Sequence, residues 1–123
     1  MKVIGFGAAL VDKQFLIKDD ALNDLGIEKG LMTLNSEEEQ NELLTFLRNQ
    51  NYDQISSCGG SATNSIYAVA ALGTSSGFIG KVSQDEDGEI YNTDLKDNNI
   101  EISNCITSSN GKTGNCIVLI TPD

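Results

Sequence analysis

CGGSATNSIYAVAALGTSSGFIGKVSQDEDG, residues 58–88, holds the pattern changes that decide the fold. QISSC enters as a strand, Gly59-Gly60 breaks it, and ATNSIYAVAAL continues as a helix closed by Gly73. The alanines and Ser65 let that helix lie close against a sheet. SSGFIGKV reads as the next strand, and DEDGEIYNTDLKDNN as a helix whose acidic start suits the helix dipole, with Ile90 and Leu95 toward the sheet. Strands and helices alternating in this order predict an α/β fold.

Toward the amino terminus, KVIGFGAALVD is an apolar run without helical periodicity and is expected to form one strand buried on both faces. Asp12 then falls at its carboxyl end, where open α/β sheets bind ligands. QFLIK and GLMTL read as further short strands, and DDALNDLG as one or two helical turns stopped by Gly26. Ser36-Glu37-Glu38-Glu39 has the form of a capping box, which predicts a helix from about Glu37 to Arg48 with Leu43, Leu44 and Leu47 inward. The three glutamates are therefore a helix start rather than a metal site. Toward the carboxyl terminus, NCITSS and TGNCIVLIT flank Asn110-Gly111, the strongest short hairpin signal in the chain.

Composition narrows the function. The 123 residues suffice for one core, since domains commonly run to roughly 100–150 residues. A formal charge of −10, with eight Lys and Arg scattered singly, argues against a nucleic-acid partner. No apolar run approaches the roughly 18 residues of a membrane span, and a cytoplasmic location is expected. The three cysteines have no CxxC spacing and are expected to be reduced; the absence of histidine excludes Ser-His-Asp and Cys-His catalysis within this chain.

Two glycine clusters invite a ligand reading. Gly5-Phe6-Gly7 suggests a dinucleotide-binding turn, but the third glycine position of GxGxxG is Leu10, and strand rather than helix follows. Gly59-Gly60 with Asn64 stands at a strand-to-helix switch. Adjacent glycines admit a ligand close to the backbone and can act as a hinge, and an asparagine offers the donor and acceptor that grip vicinal hydroxyls. Gly111-Lys112-Thr113-Gly114 lacks GxxxxGK[ST] and is assigned to the hairpin.

GGSATN, Leu72-Gly73, FIGKV and DEDG together resemble the first signature of the PfkB (ribokinase-like) carbohydrate kinases. GFGAALVD, KGLMTL and TGNCIVLITPD are similar to the flanking pattern of the adenosine-kinase-like branch, with departures at Ala8, Ile66 and Ser83. The resemblance implies the amino-terminal part of a ribokinase-like three-layer α/β/α sandwich with a small β lid, its strands within 13–34 and 104–121. It implies substrate binding by Asp12, Gly59, Gly60 and Asn64, with Phe15, Leu31 and Met32 as lid contacts or core. The acceptor it implies is a primary hydroxyl of a sugar or nucleoside, with adenosine, ribose, fructose and related sugars left open.

ATP and Mg2+ are implied for the full-length protein and not for this piece. The catalytic aspartate of the family's GAGD-type turn has no counterpart before Asp123, so the chain is expected to bind without catalysing and to leave a sheet edge or apolar face uncovered. A homodimer through the lid is left open. The alternatives are a non-catalytic sugar- or nucleoside-binding module and a Rossmann-type dinucleotide-binding domain.

Overall fold

The computed structural model of the chain describes residues 1–122, so the TGNCIVLITPD segment runs outside the described residues at Asp123. Eight strands and four helices are present among the described residues, in the order β1 Val3–Phe6, β2 Leu10–Leu16, α1 Asp19–Leu25, α2 Glu37–Asn49, β3 Gln54–Gly59, α3 Ser61–Ala71, β4 Ser76–Ile79, β5 Lys81–Ser83, α4 Glu86–Asp97, β6 Ile100–Glu101, β7 Ile106–Ser108 and β8 Gly114–Ile120. The expected α/β class is what the structure shows. None of these helices is long and apolar enough to cross a membrane. The chain divides into two compact units, and β2, β3 and β8 each run from one into the other.

Unit one comprises Met1–Lys13 and Ser56–Cys116. Its parallel sheet has the order β1-β4-β6, with Val3 opposite Ser76 and Ser76 opposite Ile100. Helix α3 packs on β1 and β4. That approach depends on Gly5: a side-chain carbon there would run into Ile66 of α3 and come within 3.3 Å of the Phe78 ring. Helix α4 adds Tyr91 and Leu95, both fully buried, and the Tyr91 ring meets Phe78 at a centroid distance of 5.8 Å. A large apolar side chain contributes roughly 1.5–3 kcal/mol when taken out of water, and Phe78, Tyr91 and Leu95 share this core with Val11, Ile66, Val82 and Ile100. The other face of β1 is open, with Ile4 47% and Phe6 80% exposed.

Unit two comprises Gln14–Ile55 and Ile117 onward. Phe15, Ile17, Ala21, Leu22, Leu44 and Leu47 form its core. The capping box at Ser36 is formed as expected: Glu39 N donates to Ser36 Oγ at 3.2 Å and Ser36 N donates to Glu39 Oε2 at 2.7 Å. Gly26 ends α1 in the left-handed region at φ 64°.

Four expectations are corrected. KVIGFGAALVD is two strands, because the chain turns at Gly7-Ala8, where a side-chain carbon on Gly7 would lie 2.9 Å from Ala62 Cβ; Asp12 therefore sits within β2 and not at the end of β1. The same correction covers burial, since the first of the two strands, β1, is half exposed rather than buried on both faces. GLMTL has no regular structure and residues 31–36 are exposed, since no strand of the sheets pairs with them. SSGFIGKV divides at Gly80 into β4 and β5, which belong to different sheets.

The hairpin around Asn110-Gly111 is the fourth. β7 pairs in parallel with β5, Lys81 opposite Ile106, whereas β8 joins the order β3-β2-β8. The Asn110-Gly111 turn itself forms, with Gly111 at φ 84° and Asn110 N donating to Ser108 Oγ at 3.2 Å. The turn chemistry holds, but each flanking strand pairs with a more distant partner.

Candidate functional site

Asp12 and Gly59 come from adjacent strands, β2 and β3. A side-chain carbon on Gly59 would lie 2.6 Å from both Cγ and Oδ1 of Asp12, closer than nonbonded atoms approach. Gly59 is thus the space into which the Asp12 carboxylate fits. No donor among the described residues is hydrogen-bonded to that carboxylate, which is half-buried. A carboxylate with no donor among the described residues is suited to accept from hydroxyl groups of a ligand.

Gly60 is the N-cap of α3 at φ 96° and ψ 141°, a conformation that L side chains rarely adopt. Its surroundings are equally close, with Ala8 O 3.0 Å from where a Cβ would stand. No side chain caps α3, so the amides of its first turn keep the positive end of the helix open. Asn64 N donates to Gly60 O at 2.9 Å, while its side chain is exposed and hydrogen-bonded to nothing among the described residues. Asp12, Gly59, Gly60 and Asn64 all belong to unit one, and the two glycines join the strand beside Asp12 to the helix carrying Asn64.

The helix is held in place from beneath. Thr63, fully buried, shares a 2.7 Å hydrogen bond with the Tyr91 hydroxyl of α4. Cys58 N donates to Asp94 Oδ2 at 3.1 Å, fixing the end of β3 just before the glycines. Burial, reinforced by Asp94, pushes the Cys58 thiol up to about 12, so it is a protonated packing group. Burial likewise raises Tyr67 and Tyr91 above the ordinary phenol value. Neither cysteine nor tyrosine here is poised to act as a base at neutral pH.

The DEDG run also has a structural explanation. Asp85 caps α4, accepting from Gly88 N at 2.8 Å, and accepts from Thr113 N at 2.8 Å and Thr113 Oγ1 at 2.6 Å. Burial works against its charge, but the Thr113 and Gly88 donors outweigh it and hold the carboxyl below the usual aspartate range. A side chain on Gly88 would collide with the Ser83 carbonyl. Thr113 also accepts from Ser83 N at 2.9 Å, so the Gly111-Lys112-Thr113-Gly114 segment is anchored inward and does not fit a phosphate cradle.

The remaining sequence candidates lie elsewhere. Phe15 is fully buried in the core of unit two, whereas Leu31 and Met32 are exposed. Gly5 and Gly7 face α3 side chains, which gives them a packing role and no room for a pyrophosphate. Shallow hollows of about 450 Å3 along α2 and about 420 Å3 beside Gly73 and Asn99 include none of the four candidate residues. No group of three His, Cys, Asp or Glu among the described residues is arranged to hold a metal. Thr63, Tyr91 and Asp94 escaped the sequence reading because their partners are distant in sequence.

Residues 32–123 match the family described as pfkB family carbohydrate kinase. Fructokinase-2 of Zea mays is 35% identical over 65 residues, which is 53% of this chain and 19% of that protein. Among solved structures, adenosine kinase from Sinorhizobium meliloti is similar over 99% of this chain and 36% of its own, at 29% identity and a TM-score of 0.77. Anopheles gambiae adenosine kinase, solved in complex with P1,P4-di(adenosine-5) tetraphosphate, is similar over 97% of this chain and 37% of its own, at 26% identity and a TM-score of 0.80. The chain thus spans little more than a third of the structures it matches, and its fold is that of the ribokinase-like adenosine kinases.

Proposed function

This chain belongs to the pfkB family of carbohydrate kinases, and on that premise we propose that it is the acceptor-binding part of an ATP-dependent sugar or nucleoside kinase. The observation that carries the proposal is the Asp12 carboxylate lying in the space left by Gly59. A carboxylate with no donor among the described residues, beside a helix start without a side-chain cap, supplies an acceptor for ligand hydroxyls and donors for their oxygens. Asn64, on the first turns of that helix, adds one of each. Together they suit a vicinal diol, as on a furanose ring.

ATP, with Mg2+ on its phosphates, is the proposed phosphoryl donor of the whole protein; it supplies the transferable γ-phosphoryl group. The one loop of this chain with a glycine-lysine pair does not fit that group, since Thr113 is turned inward onto Ser83 and Asp85. The role of the chain is to bind and orient the accepting hydroxyl, which must stand in line with the phosphoryl group for transfer.

Calorimetric titration of the chain with adenosine, D-ribose and D-fructose tests the reading. Saturable binding of one of them, lost in Asp12→Ala, is expected; unchanged affinity in that variant removes Asp12 from the site. A non-catalytic binding module is the rival, and ATP consumption by the full reading frame in the presence of the bound acceptor separates the two.

A further inference from the structure

Lys13 is 7% exposed, and lysine is seldom buried unless it is paired. Its Nζ lies 2.8 Å from Asp87 Oδ2, and Asn115 Nδ2 donates to the same oxygen at 3.2 Å. Three elements therefore meet on one carboxylate: β2 through Lys13, the first turn of α4 through Asp87, and β8 through Asn115. β2 and β8 are neighbours in their sheet. Asn115 turns its donor toward Asp87 although this leaves its Oδ1 buried without a partner.

Side chains alternate across a strand, so Lys13 shares the inward face of β2 with Val11, and Asp12 takes the opposite face, where Gly59 leaves it room. We infer that Lys13 and Asp87 are positioning residues, whose ion pair fixes β2 lengthwise from its core side and so holds the Asp12 carboxylate over Gly59 for a diol-bearing ligand. The inference rests on the reading of Asp12 as the acceptor-binding residue. A buried ion pair is a poor source of stability, because well-packed apolar residues of similar volume often do as well. What it supplies is direction. Two apolar side chains would pack at the same depth while leaving the strand free to settle slightly along its axis, whereas a 2.8 Å contact between charged groups has one favoured register.

The apolar double variant Lys13→Met/Asp87→Leu separates positioning from stability. It is expected to unfold in urea at a midpoint no lower than that of the parent chain. Its Asp12 carboxyl-carbon NMR signal is expected to move, and its affinity for adenosine, D-ribose or D-fructose to fall about tenfold, as small displacements of binding groups do. A folded double variant whose Asp12 signal coincides with the parent's overturns the inference. Should the double variant fail to fold, Asp87→Asn keeps the side-chain shape, and the same NMR comparison decides. Failure of the parent chain to bind any of the three compounds overturns the acceptor reading instead, and the Asp12 signal, which needs no ligand, still decides the positioning.

Discussion

The Asp12 carboxylate occupies the volume that a side chain on Gly59 would fill, with Cγ 2.6 Å from the position of the missing carbon. Strand β3 is therefore obliged to carry glycine at this point by its neighbour on β2, independently of any turn.

Gly59→Ala is expected to push the Asp12 side chain out of place while leaving the core intact, since the carboxylate is half-buried and has no donor among the described residues to lose. Affinity for the acceptor should fall about tenfold or more, with a displacement cost of roughly 1–3 kcal/mol for the added carbon. Calorimetry alongside circular dichroism checks it: wild-type affinity in a folded Gly59→Ala chain refutes the relationship.

Gly88→Ala is expected to destabilise unit one by roughly 1–3 kcal/mol, because the new methyl meets the Ser83 carbonyl and not a yielding side chain. Urea unfolding measures this. A loss of only a few tenths of a kcal/mol would show that the start of α4 shifts freely.

Acid should act through Asp85. Its carboxyl is held below the ordinary 3.8 in the folded chain, so its stabilisation is present in full above that value and is lost as pH falls through the lowered one. Asp85→Ala should remove a helix cap, roughly 0.5–2 kcal/mol at pH 7, and its urea midpoint should converge with the parent's as pH falls through the lowered Asp85 value. Midpoints that stay parallel throughout the acid titration would assign the acid sensitivity to other carboxylates.

Cys58 should stay unmodified by iodoacetamide at pH 8 in the folded chain, because the thiolate is the reactive species and its formation is displaced to about 12. Mass spectrometry after timed alkylation, with and without urea, reads the result. Rapid labelling without urea would mean that the end of β3 opens readily.

The sequence made the helices more legible than the strands. Ser36 to Glu39, Gly26 and Asp85 carry local signals, and a cap acts within one turn, so the reading and the structure agree there. Strand partners are set by distant segments. Asn110-Gly111 specifies a turn, yet β7 pairs with β5 and β8 joins β2, which no local pattern reveals. Gly7 and Gly80 break what look like continuous apolar runs, because α3 and the Phe78 ring come too close for a side chain. Of the candidate site, Asp12, Gly59, Gly60 and Asn64 were visible as residue types at a strand-to-helix switch. Their supports, Thr63 with Tyr91 and Lys13 with Asp87, were not, since each pair joins elements far apart in the chain.

Unit one is written in two pieces, Met1–Lys13 and Ser56–Cys116. During synthesis β1 emerges well before β4, its parallel partner, with α1, α2 and α3 made in between. Pairings between such distant segments close slowly, because the loop must be brought together before any contact rewards it. The capped helix α2 can form in that interval from its own residues, while the apolar side chains of β1 wait in solvent. Topology therefore favours local helices early, with β1 secured only once β4 has been made.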